Sequence, residues 1–207
     1  MAKKMTTDDL VHEVYATVFE AGQCLRYWRV FNDPSTPREW EPFIQTYRAF
    51  FWTAKSAFLT TAIVDLFKLY DPQRPAVSLD RLCSHVASDH PGDGSISKAK
   101  DLLAAARPLW KRVRVLRHKV FAHRDSDGDV DHWFQVASVS PNDLFRLHSL
   151  SEETLNVPSY ARNRTSYVSS KLDEPSDFHA LLRDLASTRR VLPNTALAAD
   201  APKDARG

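Results

Sequence analysis

Arg117 and His123 are the two side chains whose types and spacing could do chemistry. They bracket five residues in the run LRHKVFAHRD, residues 116–125. A histidine near a helix C-terminus keeps its proton more readily, which suits a donor to a leaving oxygen. An arginine beside it supplies a fixed positive charge for a phosphate. On a helix of about 100° per residue, His123 falls on the stripe formed by Leu116 and Val120. Arg117 lies on the flank near Arg124, about 120° from His123 around the axis and about 9 Å from it along the axis. The pair therefore need not touch within one helix. It could converge across a groove, or two copies could meet across a dimer axis. The plainer alternative is two cations that offset a helix dipole. Spacing alone leaves both open.

The helix that would carry the pair is strongly basic. Between positions 102 and 124 there is no Asp or Glu, while Arg107, Lys111, Arg112, Arg114, Arg117, Lys119 and Arg124 all lie there, in a chain whose net charge is only +2. Such a block attracts phosphate through its summed field. It could equally be a solvated face whose acidic partners sit on neighbouring helices. Asp65 is the second unusual residue. It falls on an apolar stripe between Ala62 and Leu69, and a buried carboxylate needs a partner. Arg117 or His123 is a natural candidate, and a salt bridge to another basic residue is the alternative.

Other constellations carry less. DSDGDVD, from Asp125, misplaces the glycine of a calcium loop, and its twelfth position is Val136 rather than Glu. His123, Asp129 and His132 match no metal-ligand spacing. Neither a phosphate-binding G-x-x-x-x-G-K nor a G-x-S-x-G is present. Cys24 and Cys83, the only cysteines, make neither a disulfide framework nor a Cys₄ site. The start, MAKKMTTDDL, lacks the apolar core of a signal peptide. The most apolar run, FFWTAKSAFLTTAIVDLF, is interrupted by Lys55 and Asp65 and reads as a core helix rather than a membrane span. A cytoplasmic, reducing setting is expected.

Only 5 glycines in 207 residues, with 43% hydrophobic and 26% charged side chains, favour a helical globular domain. A first helix over 8–31 carries Leu10, Val14, Val18, Ala21, Leu25 and Trp28, with Thr7 as its N-cap. A second should start at Thr36-Pro37-Arg38-Glu39 and run unbroken to Asp71-Pro72 along Trp40, Phe43, Tyr47, Phe50, Ala54, Phe58, Ala62, Leu66 and Leu69. Ser78 caps a short third. A fourth runs from near Ser95 or Ser97 to about His123 along Leu102, Ala106, Leu109, Val113, Leu116 and Val120, kinked or restarted by Pro108. Residues 125–129 break it, and residues 130–139 are expected to be irregular or extended. Ser140-Pro141-Asn142-Asp143 starts a helix that should end before Pro158. A last helix over 177–190 carries Phe178, Leu181 and Leu185. Residues 1–190 form the domain, and 191–207 read as a disordered tail.

The run from Arg117 to His123 resembles the R-x(4–6)-H signature of the HEPN superfamily, with His118 as the polar residue that often follows the Arg. The wider context resembles the AbiU-like abortive-infection branch over about residues 8–190. It does so in Leu66-Phe67-Lys68-Leu69-Tyr70-Asp71-Pro72, in the Ser78-Leu79 helix start, and in residues 117–125. The resemblance implies an all-α helical bundle that forms a homodimer with the motifs facing each other. It also implies a metal-independent endoribonuclease, without cofactor, that leaves a 2′,3′-cyclic phosphate. Carried over, His123 would be the general acid/base and Arg117 would stabilise the phosphorane charge, with His118 and Asp65 as accompanying polar residues. Lys111, Arg114, Lys119 and Arg124 would hold RNA. Family biology implies phage defence or a toxin role, and with it an antitoxin or defence-system partner protein. One departure is plain. A toxin branch follows its His with x-Tyr, and here Arg124-Asp125 stand there. The alternatives are a non-catalytic HEPN module binding RNA, a nucleotide or a protein, and a plain helical interaction protein.

Overall fold

Helix α1 (Thr7–Val30) runs through the middle of the packing, because one of its faces is apolar at every turn. Leu10, Val14, Val18, Ala21, Leu25 and Trp28 are all buried along it. Its cap is Thr6, one residue before the expected Thr7. The Thr6 hydroxyl accepts from the Asp9 amide, and the Asp9 carboxylate accepts from the Thr6 amide. Thr7 instead donates its hydroxyl to Asp89 at 2.8 Å, which ties the start of α1 to the end of another helix.

This computed structural model describes residues 5–33, 38–72, 77–92, 94–122, 130–167 and 176–191. Within them the fold is all-α, with no strand. A 3-10 turn (Arg38–Trp40) leads into α2 (Glu41–Thr46). Then come α3 (Arg48–Tyr70), α4 (Leu79–Asp89), α5 (Ser95–Ala122), α6 (Val130–Ala137), α7 (Pro141–Asn163) and α8 (Ser176–Val191). The α1–α3 and α5–α7 pairs pack most extensively, and α1 also lies on α7 and α3 on α5. α3 is long and apolar enough to cross a membrane by length and composition. Its C-terminal half is buried protein core, with Leu59, Ala62, Ile63, Leu66 and Leu69 each at most 4% exposed.

Several local expectations are corrected. The long second helix is broken at Tyr47, whose φ of −106° and ψ of 36° leave the helical region. Trp40, Phe43 and Phe51 belong to a separate apolar cluster with Val30 and Leu182, and the chain must turn to deliver them there. Tyr47 and Phe50, assigned to the buried stripe by spacing, are 47% and 66% exposed. Residues 130–137 are helical, because Phe134 and Ala137 reach the core only at helical spacing; Phe134 stacks on Trp28 at 6.1 Å. α7 runs through Pro158 to Asn163. The Ser159 hydroxyl donates to the Leu155 carbonyl just there, and beyond it Asn156 brackets the backbone of Tyr167. On α8 the buried residue is Leu182, while Leu181 is exposed. α5 continues through Pro108 without restarting, and Pro108 and Ala104 both lie on its exposed side. The 36–37 helix start, the 125–129 turn and the 192–207 tail lie outside the described residues.

One close approach sets the spacing of α1 and α7. His148 is buried against Gly22 and lies 3.1 Å from the Val18 carbonyl, which can only accept, so its Nε2 carries the hydrogen. A Cβ at Gly22 would fall 2.4 Å from that nitrogen. Burial, only partly offset by Glu152 and the Val18 bond, holds the His148 pKa below its ordinary value.

Two outcomes follow. Gly22→Ala should lower stability by ~2–4 kcal/mol, combining overpacking with a broken buried hydrogen bond, less the helix propensity gained. Its urea midpoint checks this, and Gly22→Ala with His148→Ala should cost less than the sum of the two. As pH falls below about 6.5, the unfolded chain takes up a proton that buried His148 refuses, so stability drops, by at most ~1.4 kcal/mol per pH unit. The His148→Gln variant should show a flatter midpoint between pH 7.5 and 5.5 than the wild type; parallel curves would show that His148 is not the titrating group.

Candidate functional site

α5 divides its faces by charge. Ile96, Ala99, Leu103, Ala106, Leu109, Val113 and Leu116 are buried along one stripe. Lys111, Arg114 and His118 are exposed, and their spacing of three and four residues places them on one strip of the opposite side. Val115, 41% exposed, lies beside them.

Two of the seven cations are held by the fold. Arg107 faces Asp80 on α4 at 3.4 Å. Arg112 donates to the Ser138 carbonyl at 2.6 Å and faces Asp143 on α7 at 3.4 Å. Ser138 sits in the left-handed region at φ 52°, so Arg112 anchors the strained turn that joins α6 to α7. Hydrogen bonds from Ser140, with the charge of Arg112, hold the Asp143 carboxyl below its ordinary pKa. Acidic residues from neighbouring helices thus supply part of the counter-charge that α5 lacks.

Arg117 is positioned differently. It is half-buried, and its guanidinium carbon stands 4.3 Å from the centroid of the Phe67 ring on α3. The same ring stacks on Trp110 of α5 at 5.8 Å, and the Trp110 indole N–H donates to the Phe67 carbonyl at 3.3 Å. The Arg117 Nε is buried without a hydrogen-bond partner. Asp65 does not pair with Arg117. Its carboxylate, 3% exposed as a residue, takes the Lys68 ammonium at 2.6 Å, one turn along α3, and its second oxygen has no partner. His123 and Arg124 lie outside the described residues, and for Lys119 only the helical backbone is described.

Phe67 and Trp110 are the residues that sequence reasoning missed. Phe67 stands inside the Leu-Phe-Lys-Leu-Tyr-Asp-Pro run, where its apolar character marks it only as core. The spacing of Trp110 and Arg117, two turns apart on one helix, was the available signal. In the same run, Tyr70 is buried and meets Ser151 on α7 at 2.9 Å. Ser151 gives its own hydrogen to the Leu147 carbonyl, so Tyr70 is the donor. Burial pushes the Tyr70 pKa well above its ordinary value.

Among the described residues, the exposed cations of α5 form a positive strip. A groove of about 200 Å³ beside Arg112 and Asp143, lined also by Pro108 and Arg146, is smaller than the usual ligand pocket. No group of three His, Cys, Asp or Glu is gathered as a metal would need, among the described residues. His132 is exposed and packs edge-on against Trp133.

Neither the curated proteins nor the solved structures gave a match to the chain. The model of one protein family, the HEPN domain family AbiU2, matches residues 7–181. That span takes in α1 to α7 and the first residues of α8, and includes every candidate residue named above. With an all-α bundle beneath it, the match is decisive: the chain belongs to the AbiU2 family of HEPN domains.

Proposed function

We propose that this HEPN domain is a metal-independent endoribonuclease of abortive infection, working in the cytoplasm as a homodimer with an R-x5-H motif at the dimer interface. The observation that carries this reading is Arg117. Its charge meets no carboxylate among the described residues, its guanidinium is held by a ring face, and its Nε has no acceptor. A guanidinium so held keeps its Nη donors for a phosphate. Lys111 and Arg114, exposed on the same helix, extend the positive surface along which an RNA backbone would run.

The chemistry needs no metal. The RNA 2′-hydroxyl loses its proton and attacks the adjacent phosphorus, and the 5′-oxygen leaves with a proton. His123 serves these transfers, and Arg117 neutralises the phosphorane oxygens. One Arg and one His leave this site short of groups, and an isologous dimer supplies the second pair by symmetry. Lys119 and Arg124 add further contacts to RNA, and His118 is the polar residue that accompanies the pair. The thiols suit a reducing compartment: burial pushes Cys24 up to about 11 and Cys83 up to about 12, and both are free. An antitoxin or defence partner would restrain the activity. The second reading, a non-catalytic module for RNA, a nucleotide or a protein, is favoured by Arg107 and Arg112 already being engaged within the fold.

His123→Ala should lower RNA cleavage on the order of 10²–10⁴-fold. Arg117→Ala should do the same while costing only ~1 kcal/mol of stability, the worth of a partly buried cation–π contact. The product should carry a 2′,3′-cyclic phosphate, chelator should not inhibit, and sedimentation at micromolar concentration should show a dimer. Full activity of His123→Ala with a normal thermal melt would put the binding-module reading in front. RNA affinity should also fall steeply with salt. Replacing Lys111 and Arg114 together should flatten the log–log slope by about 1.4, at about 0.7 per single-strand phosphate contact. An unchanged slope would move the RNA surface off α5.

A further inference from the structure

We propose that Phe67 is the positioning residue for Arg117: its ring fixes the guanidinium while leaving the Nη N–H donors free to meet RNA. This rests on Arg117 acting in RNA cleavage, as proposed above.

Three observations carry the inference. First, the ring is itself immobile. Phe67 is 7% exposed, its carbonyl takes the Trp110 indole hydrogen, and Trp110, 8% exposed, stacks on the ring. Second, Trp110 and Arg117 stand seven residues apart on α5, about 20° from alignment around the helix, so one helix presents both groups to one ring of α3. Third, the guanidinium lies 4.3 Å from the ring centroid with no hydrogen bond at Nε.

The usual way to fix an arginine is a carboxylate. That would consume two N–H donors and cancel the charge that the phosphorane needs. The carboxylate nearest to Phe67 in sequence, Asp65, is engaged by Lys68 instead. A ring face restrains the long side chain through its π surface and takes up none of the Nη donors, which stay available to a phosphate's oxygens. Phe67 touches no reacting atom. It acts through Arg117, and its loss should slow the chemical step more than it weakens RNA binding, because an arginine free to swing still attracts phosphate but seldom presents the right geometry.

The test compares Phe67→Leu and Phe67→Met, which keep apolar bulk and remove the ring, with Phe67→Tyr, which keeps it. Leu155→Val, a buried change on α7, serves as a stability control. Single-turnover cleavage of a defined RNA and the thermal melt are measured for each, alone and in the Arg117→Ala background. Phe67→Leu and Phe67→Met should lower the cleavage rate by about tenfold or more with the RNA Kd changed by less than about threefold. Phe67→Tyr should restore most of the rate, and neither ring-removing change should lower the residual rate of Arg117→Ala further. The proposal is overturned if Phe67→Leu and Phe67→Met cleave like Leu155→Val while Arg117→Ala does not cleave. It is overturned equally if the ring-removing changes slow both backgrounds by the same factor, which marks plain packing. Wild-type chain that cleaves no RNA, or cleavage indifferent to Arg117→Ala, overturns the endoribonuclease reading and this inference with it.

Discussion

Burial of one stripe of α5 decides where the positive charge of this molecule can go. Once Ile96, Ala99, Leu103, Ala106, Leu109, Val113 and Leu116 are inside, every cation on that helix stands on a flank or on the far side. The flank residues must then find partners or stack, since a half-buried guanidinium without either is costly. Arg107 and Arg112 find carboxylates on α4 and α7. Arg117 finds a ring on α3. Lys111, Arg114 and His118 are left to solvent. The acid-free stretch is therefore divided into structural and presented charge, and the division follows from which helix packs on which flank.

The same logic explains Asp65. Spacing along α3 places it on the buried side, and there it is found. What spacing could not show is that Lys68, one turn on and only partly exposed, reaches back to it before any arginine of α5 does. A partner at i+3 needs no tertiary alignment, so it outcompetes a distant one whenever its stem can lie along the apolar surface. The second carboxylate oxygen remains without a hydrogen bond, which makes this a costly place for a charge.

Legibility followed how local each signal is. The stripe of α1, the Ser78 cap and the Ser140–Asp143 capping box are decided within a few residues, and all three are where the pattern puts them. The failures are tertiary. Pro158 does not end α7 because hydroxyls and Asn156 hold the helix end in place. Tyr47 breaks the long helix because a second apolar cluster under α8 draws Trp40, Phe43 and Phe51 to itself. Residues 130–137 alternate enough to resemble a strand, yet the stack of Phe134 on Trp28 selects the helix. For the candidate site, the arginine of the motif was legible as a residue but not in its setting. Phe67 is, by sequence, one apolar position among several.

Family membership and physics meet at that setting. Belonging to the AbiU2 HEPN family places this helix inside the matched span. It does not say how a flexible, permanently charged side chain is kept in one orientation inside a helical bundle. The fold's answer uses apolar material already present for another purpose. Phe67 seals α3 against α5, Trp110 seals the same contact from the other side, and the guanidinium closes the stack. Packing and presentation of charge are therefore the same contact. A change that improved one at the expense of the other, such as a larger side chain at Phe67 or a carboxylate within reach of Arg117, would disturb both. That coupling ties the stability of the α3–α5 junction to the orientation of the charge that stands on it.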